Sequence, residues 1–131
     1  MTTELFYLAA ASALTGLLWV PYVLNRLLVG PGLLHEVGYP AEATVLSPWA
    51  ARLKKAHENA IQNLPVFGVL VLASHVAGIS NEATVWAAII YFWARVAHAV
   101  AYASGIPWVR TLSFSVGFGS QALFAYLLLT H

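Results

Sequence analysis

Four long apolar stretches decide what this chain can fold into. Leu5–Leu28, the run that starts at Val66 inside a helix from about Pro48 to Ala77, Glu82–Ser104 and Trp108–Thr130 are each built for a lipid surrounding. A transmembrane helix needs ~20 mostly apolar residues, and in hydrocarbon only a helix or a closed barrel satisfies its own backbone. The charges point the same way. Six Lys or Arg and five Asp or Glu make up 8% of the chain, against about 25% in a soluble domain. So few charges cannot cover a water-facing surface. The expected architecture is all-α: an integral membrane four-helix bundle in contact with the lipid bilayer, forming a single domain over residues 1–131.

Local signals set the boundaries. Pro21 predicts a kink in the first span. Val29–Pro48, with Gly30, Pro31, Gly32, Gly38 and Pro40, reads as a loop outside the membrane. Ser47-Pro48 looks like a helix start, with Ser47 as N-cap and Pro48 in the first turn. The second helix exceeds the bilayer thickness, so its basic beginning should protrude into water. Gly78–Asn81 is a turn, Asn81 caps the third helix with Glu82 at its positive dipole end, and Gly105-Ile106-Pro107 separates the third helix from the fourth. Met1-Thr2-Thr3-Glu4 has no basic leader and no Ala-x-Ala cleavage site, which predicts a retained first span. Arg26, Arg52, Lys54, Lys55, Arg95 and Arg110 all lie at or toward one side, and Glu4, Glu82 and His131 at the other. The positive-inside rule then expects both termini outside and the basic ends at the cytoplasmic face, in a bacterial inner membrane.

Within this frame one stretch is anomalous. At about 100° per residue, Arg52, Lys55, Glu58, Asn59, Gln62 and Asn63 share one arc of the second helix, while His57 points nearly the opposite way. Tyr91, Arg95, His98 and Tyr102 form a single face of the third helix at spacing i, i+4, i+7, i+11. The fourth helix opens with Arg110. Antiparallel connectivity brings Arg26, Lys55, Asn59, Gln62, Arg95, His98, Tyr102 and Arg110 to one level. Taken singly, these residues also suit ordinary duties: basic flanks, interhelical hydrogen bonds, an aromatic belt, a snorkelling arginine. Their convergence singles them out. Arg and Lys give charge-assisted bonds to carboxylates, Asn and Gln read amides, and an Arg or Tyr beside a thiol favours the thiolate. Cysteine is absent, so thiol chemistry would need a bound small molecule. No metal is expected, and a net charge of +1 with no basic tail points away from nucleic acid.

Lys54-Lys55-Ala56-His57-Glu58-Asn59-Ala60-Ile61-Gln62-Asn63 resembles the basic-basic-Ala-His-x-Asn-x-x-Glu-Asn motif of the MAPEG family, the membrane-associated proteins in eicosanoid and glutathione metabolism. Ala94-Arg95-Val96-Ala97-His98-Ala99-Val100-Ala101-Tyr102 is similar to the family's Ala-Arg-x-x-His-x-x-x-Tyr. Arg110-Thr111-Leu112-Ser113-Phe114-Ser115-Val116-Gly117 resembles its Arg-x-Leu-Ser-Phe-x-x-Gly. The likeness covers most of the chain from Arg52 onward and is nearest the microsomal glutathione transferases. It implies a homotrimer with glutathione as co-substrate, held between subunits near the cytosolic face, and lipophilic electrophiles as partners. It implies glutathione contacts at Lys55, His57, Asn59, Gln62 and Tyr102, with Arg26 a further contact and Arg110 on the thiolate. Arg95 and His98 join the binding set through the convergence above.

Two departures stand out. Lys54 and Lys55 occupy positions usually held by Arg, losing bidentate geometry, and Gln62 replaces the Glu that meets the glutathione amine. Family members include transferases, peroxidases, isomerases and a binding-only scaffold, so a non-catalytic protein that holds a lipid or partner in the same groove is the alternative. A small multidrug transporter would want a membrane-embedded carboxylate that this chain does not offer. A haem bundle using His57 and His98 is a further, weaker rival.

Overall fold

A computed structural model describes residues 1–131 as six helices. The first span divides into α1 (Thr3–Leu17) and α2 (Trp19–Val29), with the break at Leu18. Pro21 has no N–H to donate, and its ring opposes the carbonyl of Leu17, so the disruption falls within the turn preceding the proline. The kink expected at Pro21 is therefore displaced by about a turn. Together α1 and α2 form one of four apolar segments long enough to cross a membrane. The others are α4 (Pro48–Val76), α5 (Glu82–Ser104) and α6 (Pro107–Leu129).

The segment expected to be a loop contains a short helix, α3 (Leu33–Val37), between Gly32 and Gly38. Thr44 hydrogen-bonds Glu36 across it. Its end is tied to α2: Asn25 Nδ2 donates to Ser47 Oγ (2.9 Å), and Ser47 N–H donates to Asn25 Oδ1 (2.9 Å). This corrects the expected capping role of Ser47. It sits at the N-cap position of α4, but its side chain makes no cap bond because the hydroxyl is turned to Asn25. Asn81, by contrast, caps α5 as the sequence indicates. It accepts from Thr84 N–H (3.1 Å), and Thr84 Oγ1 accepts from Asn81 N–H (2.9 Å), a reciprocal capping box. Gly105, at φ +76°, closes α5 in the left-handed conformation that glycine adopts without strain.

The core gathers around α5. Phe67 of α4 stacks on Tyr91 of α5 at 3.7 Å between ring centroids, and Phe124 of α6 meets Phe67 edge-on at 5.9 Å. Ala11, Val71, Ala87 and Ala88 complete the cluster. Small residues bring the helices close: Ala94, Ala99 and Ala101 are buried on α5. On α6, a Cβ added at Gly117 would sit 3.9 Å from the side chains of Ala94, Arg95 and Tyr91. The large apolar residues Val69, Trp86, Trp93 and Phe118 face outward. That distribution is inverted relative to a water-soluble protein and fits a bundle surrounded by acyl chains, where close packing of small residues holds helices together. The chain is an all-helical integral membrane protein with four spans.

Candidate functional site

Arg95 is the cation placed deepest in the bundle, at 5% exposure. A guanidinium at such a position needs polar partners. It finds Asn59 on α4, whose Oδ1 accepts from Arg95 Nη2 at 2.8 Å, and it approaches His98 Nδ1 at 3.4 Å. Glu58, a conceivable partner from its place in the sequence, is exposed. One turn beyond Arg95, the buried His98 ring lies 5.5 Å from Tyr102 and 6.3 Å from Phe114. Tyr102 in turn lies beneath Arg110, whose guanidinium carbon is 5.0 Å from the ring centroid, a cation–π distance. A continuous series of contacts thus leads from Asn59 through Arg95, His98 and Tyr102 to Arg110.

Two open cavities flank the far end of that series. One, of about 210 Å³, is lined by Asn59, His98, Tyr102, Arg110, Thr111 and Phe114. The other, of about 240 Å³, includes Arg52, Tyr102, Gly105 and Arg110 in its wall. Tyr102 and Arg110 belong to both. Arg52 is fixed there because its Nε–H donates to the carbonyl of Ala103 at 3.0 Å. Its guanidinium also lies against Gly105, where an added Cβ would come within 3.4 Å of it. Arg52 belongs to the polar arc of α4, but its place at this site depends on a carbonyl 51 residues away along the chain, which helical periodicity does not reveal.

The other candidate residues lie elsewhere. Lys55 and Gln62 share the helical side of Asn59 yet are exposed, on the outside of the bundle. His57 is buried toward α2, with Nδ1 2.8 Å from the Tyr22 hydroxyl, which accounts for its pointing away from Asn59. Arg26 stands one turn after Tyr22 on α2, with its Nε buried and without a hydrogen-bond partner. Asn63 is structural glue: its backbone carbonyl accepts from Gln121 Nε2 at 3.3 Å, and its side chain bonds the same amide. The single chain therefore assembles Asn59, Arg95, His98, Tyr102 and Arg110 into one cluster. Arg26 and His57 lie on the α2 side of α4, and Lys55 and Gln62 on its open face.

Chemically, the cluster offers fixed positive charge, a phenolic hydroxyl and an imidazole beside open volume. That set suits recognition of an anion, or of a group that becomes anionic during reaction. A comparison with curated proteins gave no match. The model of the MAPEG family matches residues 5–130, which takes in all four spans and every residue of the cluster, so this chain belongs to the MAPEG family.

Proposed function

We propose that the protein is a glutathione transferase or peroxidase acting on lipophilic electrophiles, with glutathione bound at the cytosolic side of the seams of a homotrimer. The observation that carries this reading is the placement of Arg110 over Tyr102 between two open, partly cationic cavities. Glutathione brings two carboxylates, an ammonium and a thiol. Arg52 and Arg110 supply cations to the carboxylates and the sulfur, and the Tyr102 hydroxyl supplies a donor. The thiol releases its proton to water and the sulfur is held as thiolate by Arg110. Its lone pair then forms a bond to the electrophilic carbon while a leaving group departs with the bonding electrons. With a hydroperoxide, the sulfur takes the terminal oxygen and the O–O bond breaks to give an alcohol. A second glutathione then yields disulfide and water. The protein contributes positioning and charge stabilisation.

Each cavity is smaller than the roughly 300–1,000 Å³ of typical small-molecule sites. Both open outward, and Lys55 and Gln62 continue the polar arc onto a face the single chain leaves uncovered. A neighbouring copy would close the site and bring these side chains to the ligand. The deciding experiment titrates the purified oligomer with glutathione and follows ultraviolet thiolate absorbance and turnover of a lipophilic electrophile. Binding without turnover would leave only the scaffold reading, and no thiolate signal would sink the proposal. Native mass spectrometry in mild detergent should give the mass of three chains; monomer or dimer alone rejects the trimeric seam.

The same reading puts the cluster at the cytoplasmic face and both termini outside. Because the chain has no cysteine, a single cysteine replacing His131 gives a clean probe. An impermeant thiol reagent should label it in intact cells, and labelling only after lysis would reverse the orientation.

Gln62 is one of the two places where this chain departs from the pattern it resembles. A carboxylate there accepts a charge-assisted bond from the ligand ammonium, whereas a neutral amide accepts an ordinary one. The respective contributions are roughly 1.5–3 and about 1 kcal/mol, so Gln62→Glu should tighten glutathione binding about tenfold. Calorimetric titration of both forms decides it. An unchanged or weaker affinity would mean that the amine does not lie beside residue 62.

A further inference from the structure

The opposite end of the bundle contains a buried acid that the proposed reaction does not use. Glu4 of α1 is 5% exposed, and one of its carboxylate oxygens, Oε1, accepts from Ser80 Oγ (2.8 Å) and Thr84 Oγ1 (2.7 Å). This ties the start of the first span to the turn before α5 and to its first helical turn. The second oxygen, Oε2, is buried and has no hydrogen-bond partner. A second orphan lies on α4: Ser74 is 2% exposed, and its hydroxyl is likewise buried and unpartnered. Both residues line the same cavity, a narrow space of about 10 Å³ walled otherwise by Thr2, Val71, His75, Ile79, Ser80 and Phe124.

Two unpaired polar atoms, both on residues that line one tiny cavity, are costly. A buried polar group without a partner loses the hydrogen bonds it had in water and gains none in return, a loss that is larger when the group is charged. A cavity of about 10–15 Å³ of probe-occupied space is the minimum that admits one water molecule, and such a water needs two to four polar partners. The volume is too small for any organic ligand, and the pair of atoms offers complementary roles: a carboxylate that accepts and a hydroxyl that donates. We infer that this cavity is a binding site for a single structural water. The water donates one hydrogen to Glu4 Oε2 and accepts the hydroxyl hydrogen of Ser74, joining α1 to α4 where Oε1 already joins α1 to α5. One carboxylate thereby fastens three spans at the end of the bundle away from the cationic cluster.

The test is a structure of the purified wild-type protein in lipid at a resolution that shows ordered water, with Ser74→Ala and Glu4→Gln alongside. In the wild type, a density peak should lie within hydrogen-bond distance of both Glu4 Oε2 and Ser74 Oγ. Glu4→Gln keeps a polar atom at the site and should retain the peak. Ser74→Ala keeps the space but removes the donor, so it should lose or weaken the peak and lower Tm by several degrees. An empty cavity with Ser74 Oγ turned onto a backbone carbonyl would overturn the inference. So would a wild-type Tm that differs between sodium and choline buffers of equal ionic strength, since that would make the occupant a cation.

Discussion

Arg110→Ala is expected to remove the ultraviolet thiolate signal and to reduce turnover by about 10²–10³-fold, the effect of deleting one preorganised donor to a developing anion. Arg110 is half-buried at the first turn of α6, and its guanidinium lies over Tyr102 rather than inside the helix packing. Its removal should therefore leave assembly and thermal stability close to wild type. Arg110→Lys keeps the charge but loses the planar group that lies over the ring, so it should recover binding better than turnover. The comparison to make is thiolate absorbance against kcat for all three forms. Wild-type turnover in Arg110→Ala would reduce this arginine to a snorkelling flank and would remove the centre of the proposed mechanism.

The largest stability effect is expected at Asn59. Its carbonyl oxygen is the hydrogen-bond acceptor that Arg95 finds across the α4–α5 contact, at 2.8 Å, and Arg95 is almost wholly enclosed, with its Nε already unpartnered. Asn59→Leu leaves a buried cation without this acceptor. Hydrogen bonds to charged groups contribute about 1.5–3 kcal/mol, and stranding the charge adds to the loss. The double variant Asn59→Leu/Arg95→Leu removes the stranded charge as well, so it should be more stable than Asn59→Leu alone. Denaturant unfolding of the four proteins in the cycle measures this coupling. A single variant as stable as wild type would show that Arg95 has another partner and that the α4–α5 bond is incidental.

The parts of this structure legible from sequence are those set by near neighbours. Asn81 and Thr84 are three residues apart, so the α5 cap could be read directly. The face Tyr91, Arg95, His98, Tyr102 follows from helical periodicity, and its meeting with Arg110 follows from a short antiparallel connection. The parts not legible in the sequence depend on partners far along the chain. Ser47 has the right identity for a cap, but Asn25, 22 residues earlier, engages its hydroxyl. The opposed directions of His57 and Asn59 were visible as angles. That His57 points at Tyr22, 35 residues away, required knowing that α2 lies against α4. Pro21 signals a kink in the sequence, but the break it causes appears at Leu18, because the carbonyl that loses its partner precedes the proline by a turn.

The alanines of α5 carry one last consequence. Ala87, Ala88, Ala94, Ala99 and Ala101 are all buried, so the helices around them approach closely and the bundle interior has little room to spare. A protein with a roomy interior can adapt to a new ligand by trimming its own core. This one is nearly solid in the middle, and its usable space lies on its flanks. Under the proposed function, selectivity is then a matter of borders: a substitution on the outer side of one span reshapes what can be held there while the fold itself stays untouched.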